Sequence, residues 1–236
     1  MKLNENYKIL AASTSTVHGS GYLEYIMDEA VSFLQTDEIL FIPYARPSGM
    51  SYKKYTAAPQ VAFAQKNVSV KGIHEFENPK EAIRNAKAIF VGGGNTFLLL
   101  KTLYEFGLMD VLKSAVAKGT PYMGSSAGSN LTGMTIGTTN DMPIVYPPSF
   151  DALGFLPFNL NPHYLDPEPN STHKGETRET RIKEFHKFNS QAVLGLREGS
   201  WLEIKNGKIE LKGNLTARLF RQEQEPEELG TGVINF

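Results

Sequence analysis

The chain has 236 residues, of which 41% are hydrophobic, and this suits a single α/β domain over residues 1–236. Its 24 Lys and Arg residues balance 25 Asp and Glu residues without long blocks of one sign, which excludes the basic surface that nucleic acid or an anionic membrane requires. The absence of cysteine excludes disulfides, thiolate metal sites and a cysteine nucleophile.

The beginning of the chain and its apolar segments bear on where the protein acts. MKLNENYKIL lacks the apolar core and cleavage site of a secretory signal, and no apolar stretch is long enough to span a bilayer. We therefore expect a cytoplasmic protein with a small molecule or a peptide as its partner.

The first two thirds of the chain alternate short β-rich apolar runs with amphipathic segments, which predicts helices around a mostly parallel sheet. The predicted strands are KILAAST (8–14), EILFIPYA (38–45), VSVKGIHEF (68–76), KAIFVGG (87–93) and PYMGS (121–125). The predicted helices cover residues 22–34, 51–66, 79–86 after an Asn78 cap, and two pieces of 96–119 that divide near Gly107. Pro59 is expected to break or kink the second of them.

The last third begins with an irregular stretch, residues 135–169, which favours a functional loop. A basic helix is then predicted from Glu176, followed by a strand at 192–198 and a β-hairpin at 201–211 with Asn206–Gly207 at its turn. Residues 216–220 predict an edge strand, and the acidic residues 223–229 predict a solvated segment.

The segment GSSAGSN (124–130) matches the G-x-S-x-G nucleophile elbow, in which a strand turns sharply into a helix and presents its central serine, here Ser126. Glycines flank the serine because side chains would clash at so tight a turn. Close packing, or phosphate binding at the helix N-terminus, is the alternative interpretation.

A serine nucleophile also needs an oxyanion hole and a base. FVGGGNT (90–96) is a second strand end that enters a helix, and its Gly93 and Gly94 offer backbone N–H groups to an oxyanion. A dinucleotide site is the rival, but the G-x-G-x-x-G spacing is absent. Among the five histidines, His163 is the best-placed base because it follows a predicted short strand in the irregular stretch, with His173 as its closest competitor.

Six motifs in order resemble the peptidase E (α-aspartyl dipeptidase) group of the S51 serine peptidase family. They are VGGGNT (91–96), GSSAGSN (124–130), TTNDMPIV (138–145), NPHY (161–164), HKGETRETRI (173–182) and LREGSW (196–201). The resemblance implies a three-layer, flavodoxin-like fold similar to the class I glutamine amidotransferases, with a C-terminal β-hairpin. It also implies hydrolysis of Asp-Xaa dipeptides without a metal or other cofactor.

The resemblance also implies roles for individual residues. Ser126 would be the nucleophile and His163 the base, and Asp141 is favoured over Glu198 as the third member of the triad. The oxyanion hole would use the N–H groups of Gly93 and Ala127, with Gly94 as the alternative. The substrate contacts would come from Arg178 for the aspartate carboxylate, with His173, Glu176 and Asn95 as further candidates. A structural alternative pairs Arg178 with Glu176 or Glu179.

Rival functions share parts of this pattern. A cyanophycinase-like hydrolase would use the same fold and serine on aspartyl-arginine material, and a sensor would keep the fold without catalysis. An amidotransferase is disfavoured because the cysteine is missing. The oligomeric state is left open, including a homo-oligomer.

Overall fold

The computed structural model describes residues 3–47, 49–168 and 175–234, and within them the chain forms an eight-stranded sheet and a four-stranded sheet. The strands are β1 (Lys8–Ala12), β2 (Glu38–Ile42), β3 (Ser69–Gly72), β4 (Ile89–Val91), β5 (Tyr122–Ser125), β6 (Asn159–Pro162), β7 (Val193–Leu196), β8 (Ser200–Lys205), β9 (Lys208–Gly213), β10 (Ala217–Phe220), β11 (Glu227–Leu229) and β12 (Gly232–Ile234). The helices are α1 (Met27–Leu34), α2 (Tyr52–Ala64), α3 (Pro79–Arg84), α4 (Thr96–Glu105), α5 (Met109–Ala117), α6 (Ala127–Asn130) and α7 (Arg178–Phe185).

The larger sheet has the strand order β12-β9-β8-β1-β5-β4-β2-β3. The strands β1, β5, β4, β2 and β3 are parallel to one another, whereas β8, β9 and β12 extend the sheet in antiparallel fashion. The parallel strands therefore place their carboxyl ends at one edge of the sheet, where α/β proteins bind ligands.

Helices cover both faces of this sheet. Ile9 and Leu10 are both fully buried, one in the core beneath α3 to α6 and the other in the core beneath α1 and α2. Neighbouring strand residues are buried on opposite faces because helices cover both, which explains the continuous apolar runs in the sequence. The predicted three-layer α/β architecture is confirmed.

The smaller sheet has the order β11-β10-β7-β6, and all four of its strands lie in the last third of the chain. One prediction is corrected here. The strand at 216–220 is β10, which lies between β7 and β11 rather than at an edge. The acidic residues of the following segment are exposed, as expected, and residues 227–229 also form β11, where Glu228 pairs with Arg197 at 2.5 Å.

The end of the third strand and the effect of Pro59 also differ from the predictions. The strand expected at 68–76 ends at Gly72, where the Glu75 carboxylate accepts the Gly72 N–H at 2.7 Å and residues 73–75 form a 3-10 turn. Pro59 lies inside α2, which continues through it to Ala64. A proline removes one intrahelical donor, and the buried ring of Pro59 packs into the protein.

The Asn78 cap, the division of α4 from α5 and the β8–β9 hairpin follow the predictions. The Asn78 side chain accepts the Glu81 N–H at 3.1 Å, and positive φ angles at Asn206 and Gly207 form the hairpin turn. Within the described residues, no helix combines the length and apolar character that a membrane span requires.

Candidate active site

Ser126 lies at a sharp turn between β5 and α6, as the elbow motif predicts. Its backbone has φ 52° and ψ −110°, a conformation that is strained for a residue with a side chain and costs about 1–3 kcal/mol. A β-carbon at Gly124 would lie 2.5 Å from the Gly128 backbone, and one at Gly128 would lie 2.1 Å from the carbonyl oxygen of Val91. Both glycines are therefore required by backbone approach, as expected.

His163 reaches Ser126 from the end of β6 in the smaller sheet. Its Nε2 lies 2.9 Å from Ser126 Oγ, and its Nδ1 lies 2.5 Å from Glu198 Oε1, just after β7. The Glu198 carboxylate accepts a hydrogen bond from Nδ1–H, so the lone pair of Nε2 faces the serine hydroxyl. The structure thus places a hydroxyl, an imidazole and a carboxylate in the order that acyl transfer uses.

Asp141, the residue favoured from the sequence as the third member of the triad, forms no hydrogen bond with His163; the structure places the alternative, Glu198, in that position. Its Oδ2 accepts the N–H of Thr96 at 2.7 Å and the Thr96 hydroxyl at 2.6 Å, and Thr139 adds a bond at 3.2 Å. The physical reason is position: Asp141 faces the N-terminus of α4, whereas Glu198 follows β7, which pairs with the strand before His163. Asp141 still lines the cleft beside Ser126.

The candidate oxyanion donors surround the serine. A β-carbon on Gly93 would lie 3.1 Å from Ser126 Cβ, so the glycine loop after β4 packs directly against the nucleophile. Gly94 has φ +141°, and a β-carbon there would lie 2.1 Å from the carbonyl oxygen of Ala45. Ala127 is the first residue of α6, where the backbone N–H has no intrahelical acceptor.

Arg178 is the first residue of α7 and is half-buried. Among the described residues it forms no ion pair, since Glu176 pairs with Arg181 at 3.9 Å and Glu179 pairs with Lys183 at 2.7 Å. Burial and the neighbouring Arg181 lower the pKa of Arg178, whereas Asp141 acts in the opposite direction. The expected alternative, a pairing of Arg178 with Glu176 or Glu179, is not formed.

The remaining sequence-predicted contacts have different environments. Asn95 caps α4 by accepting the Leu98 N–H at 3.0 Å, and its amide donates to the carbonyl oxygen of Met142 at 2.8 Å. Glu176 is exposed. His173 lies outside the described residues. In the described ranges, no cluster of three or more His, Asp or Glu side chains is arranged to hold a metal ion.

The sequence analysis missed Ser13, which follows β1. Its hydroxyl accepts the backbone N–H of His163 at 2.9 Å and donates to the carbonyl oxygen of Leu196 at 2.7 Å, so it links the larger sheet to the smaller one. His163 has φ 55°, and this bond holds it in that conformation. The only signal in the sequence was a run of hydroxyl residues, STST, at a predicted strand end.

Comparison with known proteins gives matches that cover most of the chain. The model of peptidase family S51 matches residues 9–212. The chain is 50% identical over 225 residues to "Peptidase E" of Streptomyces coelicolor, with 95% of this chain and 91% of that protein covered. It is 46% identical over 225 residues to the "Probable alpha-aspartyl dipeptidase" of Drosophila melanogaster, with 94% and 92% covered.

The fold is also similar to that of a solved peptidase from an acI-B1 Actinobacterium. The TM-score is 0.72 at 15% identity, with 98% of this chain and 97% of that chain covered. The strand-to-helix serine, its histidine and the family match over most of the sequence lead to one conclusion: the chain belongs to peptidase family S51.

Proposed function

We propose that the protein is a serine dipeptidase that hydrolyses dipeptides with an N-terminal aspartate through an aspartyl-enzyme intermediate. The observation that carries this proposal is the chain of contacts from Ser126 Oγ to His163 Nε2 at 2.9 Å and from His163 Nδ1 to Glu198 Oε1 at 2.5 Å. The aspartyl preference is supported by the name of one relative, the "Probable alpha-aspartyl dipeptidase", and by Arg178, which forms no ion pair among the described residues and interacts electrostatically with Asp141.

The chemistry follows from these positions. Ser126 attacks the peptide carbonyl while His163 Nε2 takes the hydroxyl proton, and Glu198 stabilises the resulting imidazolium. His163 then donates this proton to the leaving amine. Water, deprotonated by the same nitrogen, hydrolyses the acyl-enzyme and releases aspartate.

Arg178 would bind the side-chain carboxylate of the substrate. A half-buried guanidinium without an ion pair among the described residues is available for a bidentate bond to a carboxylate. Lysine could not reproduce that geometry. The substrate carboxylate would also accept hydrogen bonds that the half-buried guanidinium of Arg178 no longer makes to water.

Asp141 would accept the free ammonium group of the substrate instead of orienting the histidine. Its Oδ2 carries the bonds to Thr96 and Thr139, while its Oδ1 has no hydrogen bond to the described residues. The carboxylate lines the cleft next to Ser126 and His163. A free α-ammonium on the same residue as the scissile carbonyl would then be required for binding, which restricts hydrolysis to the bond after the N-terminal residue.

The test is hydrolysis of Asp-Leu beside Glu-Leu, Asn-Leu, N-acetyl-Asp-Leu and an aspartyl-arginine isopeptide, with a chelator present. We expect wild type to cleave Asp-Leu selectively and Ser126→Ala to be inactive. Ser125→Ala is the matched control, because the Ser125 hydroxyl is buried without a hydrogen bond among the described residues. Preference for the isopeptide would instead favour the cyanophycinase-like function, and folded wild type that cleaves none of them would refute the proposal.

A further inference from the structure

The hydroxyl of Tyr55 supports the glycine loop beside the nucleophile. Tyr55 lies in α2, is 3% exposed and donates a hydrogen bond of 2.9 Å to the carbonyl oxygen of Gly93. A β-carbon at Gly92 would lie 2.5 Å from this hydroxyl, so the loop can come this close only because Gly92 has no side chain. The backbone N–H groups of Gly92 and Asn95 also hold the loop, and the Tyr55 hydroxyl is the group that holds the Gly93 carbonyl.

This hydrogen bond fixes the direction of the next backbone N–H. A trans peptide unit points its carbonyl and its N–H in opposite directions, so the Gly94 N–H points away from Tyr55. Tyr55 packs in the core beneath α1 and α2, whereas Ala127, which lines the cleft, packs on the opposite face of the sheet. The Gly94 N–H therefore points toward the cleft, and it has no hydrogen-bond acceptor among the described residues.

The tyrosine itself is held rigidly. Its ring packs edge-on against Phe41 with centroids 5.2 Å apart, and the guanidinium of Arg46 lies 4.6 Å from the ring centroid. Burial raises the pKa of Tyr55 and outweighs the opposite effect of Arg46, so the hydroxyl remains protonated at neutral pH. A protonated phenol is a permanent donor to the Gly93 carbonyl.

We propose that Tyr55 is a positioning residue that holds the Gly93–Gly94 peptide so that the Gly94 N–H, together with the Ala127 N–H, binds the oxyanion. This inference rests on the acyl-transfer function proposed above. Tyr55 does not touch the substrate and acts through the peptide alone. A preorganised donor favours the transition state over the bound substrate, so loss of the hydroxyl lowers kcat and spares KM.

The experiment compares Tyr55→Phe with Tyr104→Phe, a matched variant because Tyr104 also donates its hydroxyl to a backbone carbonyl, that of Asp151 at 3.0 Å. Two rates are measured: kcat for Asp-Leu and the rate of Ser126 labelling by a fluorophosphonate. The labelling adduct places its oxygen in the same oxyanion hole and needs no aspartate. We expect Tyr55→Phe to lower both rates about 10- to 100-fold, less than deletion of a whole donor does.

KM for Asp-Leu is expected to change by less than about twofold in Tyr55→Phe, and Tyr104→Phe is expected to match wild type in both rates. Tyr55→4-aminophenylalanine retains a neutral donor at the same position and should restore most of both rates. Unchanged rates in Tyr55→Phe would overturn the inference. A second result would also overturn it: Tyr55→Phe has lower thermal stability and loses both rates, and 4-aminophenylalanine does not restore them. The role of Tyr55 would then be structural.

Failure of the proposed function gives a different result. If the fluorophosphonate labels the wild-type protein but Asp-Leu is not cleaved, the proposed substrate is refuted. The comparison of labelling rates still tests the role of Tyr55. Wild type that is folded and neither cleaves nor labels would overturn both proposals.

Discussion

Replacing Glu198 by Gln tests which carboxylate orients His163. Glu198 Oε1 lies 2.5 Å from His163 Nδ1, while the contacts of Asp141 Oδ2 are to Thr96 and Thr139. Gln retains the size of Glu but removes the negative charge. That charge stabilises the imidazolium that forms when His163 takes the proton of the serine.

The magnitude follows from charge separation and exposure. Charge centres about 4 Å apart interact with about 4 kcal/mol at an effective dielectric constant of about 20. The side chains of His163 and Glu198 are 36% and 46% exposed, so we take screening to reduce this to about 2 kcal/mol. Because about 1.4 kcal/mol corresponds to a tenfold change in rate, kcat/KM should fall about 30-fold. The fall is larger if the amide turns its NH₂ group toward Nδ1 and reverses the tautomer.

The assay measures kcat and KM for Asp-Leu together with the rate of fluorophosphonate labelling, in Glu198→Gln and in Asp141→Asn. Glu198→Gln should slow labelling, because the serine is less activated. Asp141→Asn should raise KM and leave labelling close to that of wild type, because the proposed ammonium contact is made only by the peptide. The reverse pattern, with labelling lost in Asp141→Asn and normal in Glu198→Gln, would refute the reasoning.

Three further changes probe the site and the scaffold. Arg178→Lys should lower kcat/KM for Asp-Leu about 10- to 100-fold while changing that for Asn-Leu little, and equal losses would contradict a carboxylate contact. Asp166 makes two bonds to Arg197, of 2.7 and 2.8 Å, which lower the pKa of Asp166. That contribution to stability is present above the unfolded pKa and is lost as pH falls through the lower folded pKa. Asp166→Asn should therefore destabilise by about 1 kcal/mol in urea unfolding at neutral pH, and the difference should vanish once the pH is below the lowered folded pKa of Asp166. A difference independent of pH would argue against the pair. Gly128→Ala should destabilise the protein by about 3 kcal/mol because its β-carbon would meet a strand carbonyl. Gly230→Ala, with open space around it, should change the stability by less than about 0.5 kcal/mol. Equal effects would contradict the packing argument.

The parts of the site that could be predicted from the sequence depend on local backbone geometry. The elbow around Ser126 is set by glycines within two residues of it, so a short motif is enough. His163 could be selected because it follows a predicted strand at the start of a loop. The alternation of strands and helices likewise identifies a parallel sheet, since each apolar run reflects burial on both faces.

The parts that could not be predicted depend on pairings between distant segments. Asp141 and Glu198 are both carboxylates near turns, and the choice between them follows from the pairing of β6 with β7 in a sheet that has no local signature. Tyr55 is one of several aromatic residues on an amphipathic helix. Its contact with Gly93 spans 38 positions of sequence, so no pattern within α2 distinguishes it.

The predicted end of the third strand is wrong for a different, local reason. The apolar pattern of the third predicted strand continues past Gly72, but the Glu75 side chain captures the Gly72 N–H and turns the chain. Local side-chain bonds of this kind compete with the strand ladder.

The proposed catalytic residues come from two different sheets, and Ser13 forms hydrogen bonds that join the two. Ser126 extends from β5 of the larger sheet, whereas His163 and Glu198 follow β6 and β7 of the smaller one. The rate of hydrolysis therefore reports on the relative position of the two sheets. On warming, a small displacement of one sheet relative to the other would separate His163 from Ser126 and stop hydrolysis. Each sheet, and its circular dichroism signal, would stay intact.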